Sequence, residues 1–470
     1  MTQHGKMHNA GARKKALVIF TRALENDSVK SRLAGVLSPT QRHTLHQAFL
    51  ADLKALIDDD VVDKTGCELV LCSTTPSIPQ ELACIFGDNC LYIQQRGDSF
   101  KRRLSAAFED VMAAGYESVV LLGSDCVETS PESLVRAFAL LEFYQLVLGP
   151  STDGGFYLAG ASGISPRVFE IDGYGTPNAL SALERAAQDS GANTTRLRRC
   201  GDMDTLFDLQ MLAYRAREAN PGYLPCHTLA ALKEFAEQGA DTLERPISLI
   251  VCTYNEASTA QRLTRQLNAL NGQCEIVIAD GGSTDGTREM LGADFKVIDC
   301  PKGRGRQLNR GVAASHGDIL FFIHADSILP PDALAQIREV MRSYRAGCFG
   351  ITFPRSTIAM ACCQRLSNFR ARRRKVMFGD QGIFIERALF AELGGFREIA
   401  LMEDYQLSLD LAQRRIAYGM CKQRIQTSDR RYTGGMLHQL VVMRQMAKLR
   451  KRYRNGEDPE TLAREYRDLR

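Results

Sequence analysis

Near residue 245 the chain starts its pattern over, and that repetition limits the fold more than any other feature. The polar stretch EQGADTLERP ends at Pro246, and ISLIVCTYNEA opens a new apolar run. Beyond it ISLIVC, CEIVIAD, FKVIDC and DILFFIHAD read as strands. Residues 257–270, GRQLNRGVAASH and PDALAQIREVMRSY read as helices, the last with Pro near its first turn. Near-continuous apolar strands separated by helices form a mostly parallel sheet covered on both faces. The first half repeats the plan. ALVIF, CELVLCS, SVVLLGSDC and the pair within YQLVLGPSTDGGFYLAG are strands; residues 40–56 and SFKRRLSAAFEDVMAAG are helices. VVLLGSD and LFFIHAD match in position and character. The expectation is an α/β chain of two domains, each with a mostly parallel central sheet flanked by helices. They span 14–240 and 246–470, after a disordered N-terminus at 1–13.

A length of 470 residues is too great for one ordinary core. No apolar run approaches the roughly 20 residues of a membrane-spanning helix. The 14 cysteines are scattered without a CxxC pair, which supports neither a zinc site nor a disulfide framework. Several, such as Cys72, Cys252 and Cys274, sit in apolar segments, and a reducing cytoplasm is the natural compartment. The net charge of +4 is too small to imply nucleic acid. It is unevenly placed, because residues 421–470 hold 13 Lys and Arg against 6 Asp and Glu.

In parallel α/β sheets ligands bind at the carboxyl ends of strands. Those ends carry Thr253, Asn255 and Glu256, then Asp280, then His324, Ala325 and Asp326. Asp280 and Ser283 in IADGGSTDGT either cap a turn or meet a nucleotide. Asp326 either caps the following helix or binds a divalent cation, since Mg2+ and Mn2+ accept few carboxylates when phosphate oxygens complete the shell. Glu403 and Asp404 either favour a helix N-terminus or supply a general base.

TYNE, DGGSTDGT, HAD, GDQGIFI and MEDYQL, in this order, resemble the family 2 glycosyltransferases, and the resemblance spans nearly all of 246–470. GRGRQLNRGV, FFIHAD, FGDQGIFI and SDRRY are most similar to a bacterial branch named for arsenosugar biosynthesis. The resemblance implies a Rossmann-like GT-A fold and an inverting, Mg2+- or Mn2+-dependent sugar transfer from a nucleotide-sugar to an acceptor hydroxyl. It places Thr253, Asn255, Glu256, Asp280, Ser283, Arg304, Arg306, Ala325 and Gln381 around the donor. Asp326, with His324 in place of the usual first Asp, would hold the metal; Asp404, with Glu403 beside it, would be the base.

VIFTRALENDSVKSRL, GSDC, GPSTDGGFYLAG and DMDTLFDL resemble the DUF2064 proteins, related in fold to nucleotidyltransferases and also GT-A-like. This implies Asp125 and Asp204 at a metal, Lys30 and Arg32 on phosphates, and Asp153 near substrate. The first loop departs from the family pattern. Arg22, Leu24 and Asp27 replace its Lys, Pro and Gly, and an Asp there repels an anion that Gly would admit.

The leading expectation is a cytoplasmic glycosyltransferase fused to a domain that makes its donor or is structural. The rivals are a nucleotidyltransferase with a C-terminal product-binding half and a non-catalytic nucleotide-sugar-binding module. The acceptor is expected to be a small molecule or lipid-linked. LHQLVVMRQMAKLRKRYR reads as an amphipathic helix, with Leu437, Leu440, Met443 and Leu449 near one face and Arg444, Lys448, Lys451 and Arg452 opposite. It is expected either to pack on the catalytic domain with a solvated basic face or to offer a surface for anionic lipid or a phosphorylated acceptor, with at most weak, salt-sensitive binding to an anionic membrane surface.

Overall fold

A computed structural model describes residues 14–23, 30–87, 90–152, 154–176, 178–217, 223–354, 357–429 and 436–467. The expected disorder at 1–13, the loop positions Leu24 and Asp27, and Asp153 lie outside the described residues. The chain separates between Leu243 and Glu244 into two compact units.

The first unit holds β1 (Lys15–Phe20), β2 (Glu68–Ser73), β3 (Leu91–Gln94), β4 (Ser118–Gly123), β5 (Leu146–Pro150), β6 (Phe156–Ser162) and β7 (Thr194–Arg196). The second holds β8 (Ile247–Thr253), β9 (Glu275–Asp280), β10 (Lys296–Asp299), β11 (Ile319–His324), β12 (Ala346–Thr352), β13 (Phe384–Glu386) and β14 (Gly419–Gln426). The sheet orders are β3-β2-β1-β4-β6-β5-β7 and β10-β9-β8-β11-β13-β12-β14. These are one topology used twice. In each, the strand next to the last in chain order runs antiparallel to both neighbours, and the other pairings are parallel.

The apolar runs exist because both faces of each sheet are covered. In β8, Leu249 and Val251 enter one core while Ile250 and Cys252 enter the core on the opposite face. In β11, Phe321 and Ile323 divide from Leu320 and Phe322 in the same way. Each such side chain contributes about 1.5–3 kcal/mol on burial. The runs stop where the strands emerge, and polar side chains take over there.

The helix Met436–Arg454 packs differently from the sequence expectation. Its inward seam holds Gln439, Val442 and Leu449, whereas Leu437 is 78% exposed and Leu440 and Val441 also face outward. The seam carries a polar residue because Gln439 Oε1 bonds Thr357 Oγ1 at 3.0 Å, at the head of the helix Ile358–Arg374. Among the described residues, no helix is long and apolar enough to cross a membrane.

Candidate functional site

The ends of β8 and β9 are tied together from beneath. Asp280 is 1% exposed, and its Oδ1 accepts from Gly282 N at 3.0 Å and Ser283 N at 2.8 Å. Its Oδ2 accepts from Thr253 Oγ1 at 2.8 Å and Ser283 Oγ at 2.6 Å. Burial alone would raise this pKa, but the four donors outweigh it and hold the carboxyl below the ordinary aspartate value. Asp280 thus braces the turn through both of its oxygens, as the capping reading describes. Asn255, at a left-handed φ of 52°, joins the same lacing. Its N–H donates to Ser283 Oγ at 2.9 Å, and its Oδ1 accepts from Thr284 N at 2.9 Å. Glu256 N donates to Thr287 Oγ1 at 2.8 Å, and its side chain reaches a cavity above the turn.

That cavity, ≈ 620 Å³, is lined by Glu256, Arg304, His324, Asp326, Asp380 and Asp404, among others. Arg304 heads the helix Arg304–Ala313, and its Nε lies 2.6 Å from Glu403 Oε1. Gly305 lets this helix end approach closely, since a Cβ there would meet the Arg397 carbonyl oxygen at 2.5 Å. Burial pushes the Glu403 carboxyl up against the pull of Arg304, with Asp404 pushing further. Asp404, next on the helix Glu403–Gln413, accepts from Gly379 N at 2.8 Å through Oδ2 and from Tyr405 N at 2.7 Å through Oδ1. Met402 starts that helix at φ 75°, an uncommon conformation for its type. Gly379 also abuts His324, because a Cβ at 379 would lie 2.9 Å from His324 Nε2 and 3.3 Å from Asp404 Oδ2. His324, Gly379 and Asp404 are therefore in one cluster.

Other expected residues lie elsewhere. Arg306 faces outward, with Nε 3.4 Å from Glu398 Oε2, and does not join the cavity wall. Ala325 is in the core. Gln381 is fully buried, where its Oε1 accepts from Phe378 N at 3.1 Å and shapes the turn before β13. Conversely, Arg370, Phe378, Asp380 and Arg450 line the cavity without having been singled out, and Arg444, expected on a solvated basic face, lines it too. Asp380 lay inside the quoted GDQGIFI motif; the arginines sit on helices whose inward direction only packing reveals.

The metal expectation can be tested on the donor set. Among the described residues, no group of three or more His, Cys, Asp or Glu side chains is arranged to hold an ion. Asp326 brings a hard oxygen to the wall, two residues past the end of β11, and His324 stands beside it. This sparse set fits Mg2+ or Mn2+ completing its shell with phosphate oxygens and water.

In the first unit a cavity of ≈ 430 Å³ is lined by Arg22, Lys30, Arg32, Arg103, Asp125 and Asp204, with others. Lys30, at φ 53°, sends Nζ between the two aspartates, 2.7 Å from Asp125 Oδ2 and 2.9 Å from Asp204 Oδ1. Arg32 Nη1 reaches Asp204 Oδ2 at 2.8 Å. Burial opposes the Lys30 charge, but the two carboxylates outweigh it and hold its pKa above the ordinary lysine value. Burial would raise Asp125, yet Lys30 holds it below the aspartate range. Lys30 Nζ thus bridges Asp125 and Asp204, the carboxylates that the resemblance places at a metal, and Arg32 pairs with Asp204.

Comparison with known proteins fits this division. Residues 57–176 match the model for an uncharacterized protein conserved in bacteria, DUF2064. Residues 248–388 match the model for glycosyl transferase family 2. An uncharacterized glycosyltransferase of Nostoc sp. is 34% identical over 109 residues, 21% of this chain and 33% of the relative. The poly-beta-1,6-N-acetyl-D-glucosamine synthase of Staphylococcus epidermidis is 32% identical over 95 residues, 18% of this chain and 23% of the relative. The chain thus spans about a third or less of these relatives' length. Among solved structures, a Pyrobaculum calidifontis mannosyltransferase with GDP-Man and Mn2+ aligns at 18% identity and a TM-score of 0.36, over 54% of this chain and 76% of that one. The chain joins a DUF2064 segment to a glycosyl transferase family 2 segment.

Proposed function

We propose that the second unit is an inverting glycosyltransferase, moving a sugar from a nucleotide-sugar donor to an acceptor hydroxyl. One observation carries the reading: Asp326 and Asp404 line a single cavity at the carboxyl ends of β8 and β11, in the unit whose residues 248–388 match the family 2 model. Asp326, with His324 beside it, would hold Mg2+ or Mn2+, which supplies positive charge to the leaving diphosphate. Arg304, held by Glu403, adds a fixed positive charge on the same wall. Glu403 is therefore a positioning residue rather than the base.

Asp404 takes the acceptor proton. The acceptor oxygen then bonds the anomeric carbon from the face opposite the leaving group. The carbon–oxygen bond to the diphosphate breaks, and its electron pair leaves with the nucleotide. Both Asp404 oxygens accept backbone N–H bonds, which fixes the carboxylate's direction while leaving lone pairs for the incoming hydroxyl. Asp280, Thr253, Asn255 and Ser283 position the floor beneath the donor. The test is release of nucleoside diphosphate from a panel of UDP-, GDP- and dTDP-sugars with Mn2+. Release from at least one donor is expected, and none from any would contradict the reading.

For the first unit, Lys30 Nζ between Asp125 and Asp204 supports a substrate-binding or structural role for this cluster. Pyrophosphate release from nucleoside triphosphate and sugar phosphate, abolished by Asp125→Ala, would instead identify it as the enzyme that makes the donor.

A further inference from the structure

We propose that the cavity of the second unit holds its acceptor by an anionic group, a phosphate monoester, through Arg370, Arg444 and Arg450. This rests on the glycosyltransferase reading and names the class of its acceptor. The wall has two chemical halves. Glu256, Asp326 and Asp404 stand at strand ends and at a helix head. Arg370, Arg444 and Arg450 come from the helices Ile358–Arg374 and Met436–Arg454. Those helices run side by side in one direction. Thr357 meets Gln439 near their starts; further along, Arg370 and Arg450 both lie over the Phe378 ring, 4.4 and 5.7 Å from its centroid. Phe378 precedes Gly379, whose N–H holds Asp404 Oδ2 at 2.8 Å, so this arginine pair stands beside the proposed base.

Arg304, on the same wall, has its charge answered by Glu403. Arg370 is answered less fully. Its hydrogen bond goes to Ser367 Oγ at 3.3 Å, and its Nε is buried without a hydrogen-bond partner among the described residues. Burial lowers its pKa, while Asp380 on the same wall favours its charge. A guanidinium held out of water with donors to spare is costly until an acceptor arrives. A phosphate monoester presents three acceptor oxygens and up to two charges, which suits several guanidinium forks at once, whereas a neutral sugar hydroxyl suits none of them as well. The hydroxyl to be glycosylated then lies at Asp404 and the phosphate at the arginines.

Two sources share this chemistry: a soluble phosphate ester and a lipid phosphate in a bilayer. The experiment uses the full chain saturated with Mn2+ and with whichever of UDP, GDP or dTDP raises its melting temperature, so that the nucleotide position is filled first. Glycerol 3-phosphate is titrated against glycerol by calorimetry. Phosphatidic acid–phosphatidylcholine vesicles are compared with pure phosphatidylcholine vesicles by sedimentation. We expect binding in one phosphate arm and not to its neutral counterpart; the arm that binds identifies the source. Arg370→Gln and Arg450→Gln should each weaken it about tenfold, with nucleotide affinity unchanged. If Arg370→Gln does not fold, Arg444→Gln, on an exposed side chain, takes its place in the comparison. Equal binding of phosphate and neutral probes, or arginine variants that bind like the wild type, would overturn the proposal and leave the donor reading standing. Failure of every nucleotide to bind would overturn both.

Discussion

Arg304 Nε lies 2.6 Å from Glu403 Oε1, and this pairing decides which of two adjacent carboxylates is left for chemistry. Glu403 is 2% exposed and turned to the arginine, while Asp404 faces the cavity. Breaking a buried pair from one side strands the other charge, at a cost of about 3–5 kcal/mol. Glu403→Gln should therefore lower stability markedly in urea unfolding. The double variant Arg304→Met, Glu403→Leu should recover much of that loss and yet turn over donor poorly. Full activity in the double variant would show that the pair positions nothing.

Asp326→Ala should abolish Mn2+-dependent strengthening of nucleotide-sugar binding and leave the melting temperature of the ligand-free protein nearly unchanged. A carboxylate past a strand end contributes little to the core, so surface-like effects within about 0.5 kcal/mol are expected. Calorimetry with and without Mn2+ measures this directly; identical metal dependence in variant and wild type would remove Asp326 from the metal position.

Gly379→Ala introduces a Cβ 2.9 Å from His324 Nε2 and 3.3 Å from Asp404 Oδ2. The His324 ring must shift to admit it, and Asp404 must give by a few tenths of an ångström. The expected outcome is a fall in kcat of about a hundredfold, since misplacement by about 1 Å costs on that order, with the fold retained by circular dichroism. Unchanged kcat would mean that the cluster tolerates displacement and is not the reacting centre.

Much of this arrangement was legible in the sequence. The apolar runs named the strands because both sheet faces are buried, and their abrupt ends marked where Glu256, Asp326 and the Asp280 turn stand. The matching VVLLGSD and LFFIHAD segments proved to be β4 and β11, which take the same place in identical strand orders. That Asp280 braces its own turn through Thr253 and Ser283 was not legible, because those bonds are set by tertiary placement. Arg370 and Arg450 were hidden for a different reason. Residue periodicity put Leu437, Leu440, Met443 and Leu449 on one face of the helix Met436–Arg454, whereas the buried seam runs through Gln439, Val442 and Leu449, with Gln439 bonded to Thr357.

The first unit has a pH signature. Asp125 is held below the ordinary aspartate range, so its stabilising contribution is present above the unfolded pKa, about 3.9, and is lost as pH falls through the lower folded value. Lys30 is held above the lysine range, so its contribution is present below about 10.4 and is lost as pH rises past it. Lys30→Met leaves Asp125 without its cation and Asp204 with Arg32, which favours protonation of Asp125. Stability measured in urea between neutral and acidic pH should then change less steeply than in wild type, or rise on acidification. A variant with the wild-type acid limb would show that Lys30 does not govern the pair.

The central claim is that Asp404 removes the acceptor proton in a sugar transfer. The most direct measurement is steady-state turnover of a nucleotide-sugar by Asp404→Asn, alongside its donor Kd by calorimetry. The account predicts a kcat lower by about 10²–10⁴-fold with donor Kd nearly unchanged, because the carboxylate acts only as the acceptor reacts. A loss confined to donor Kd, or a kcat equal to the wild type's, would contradict it.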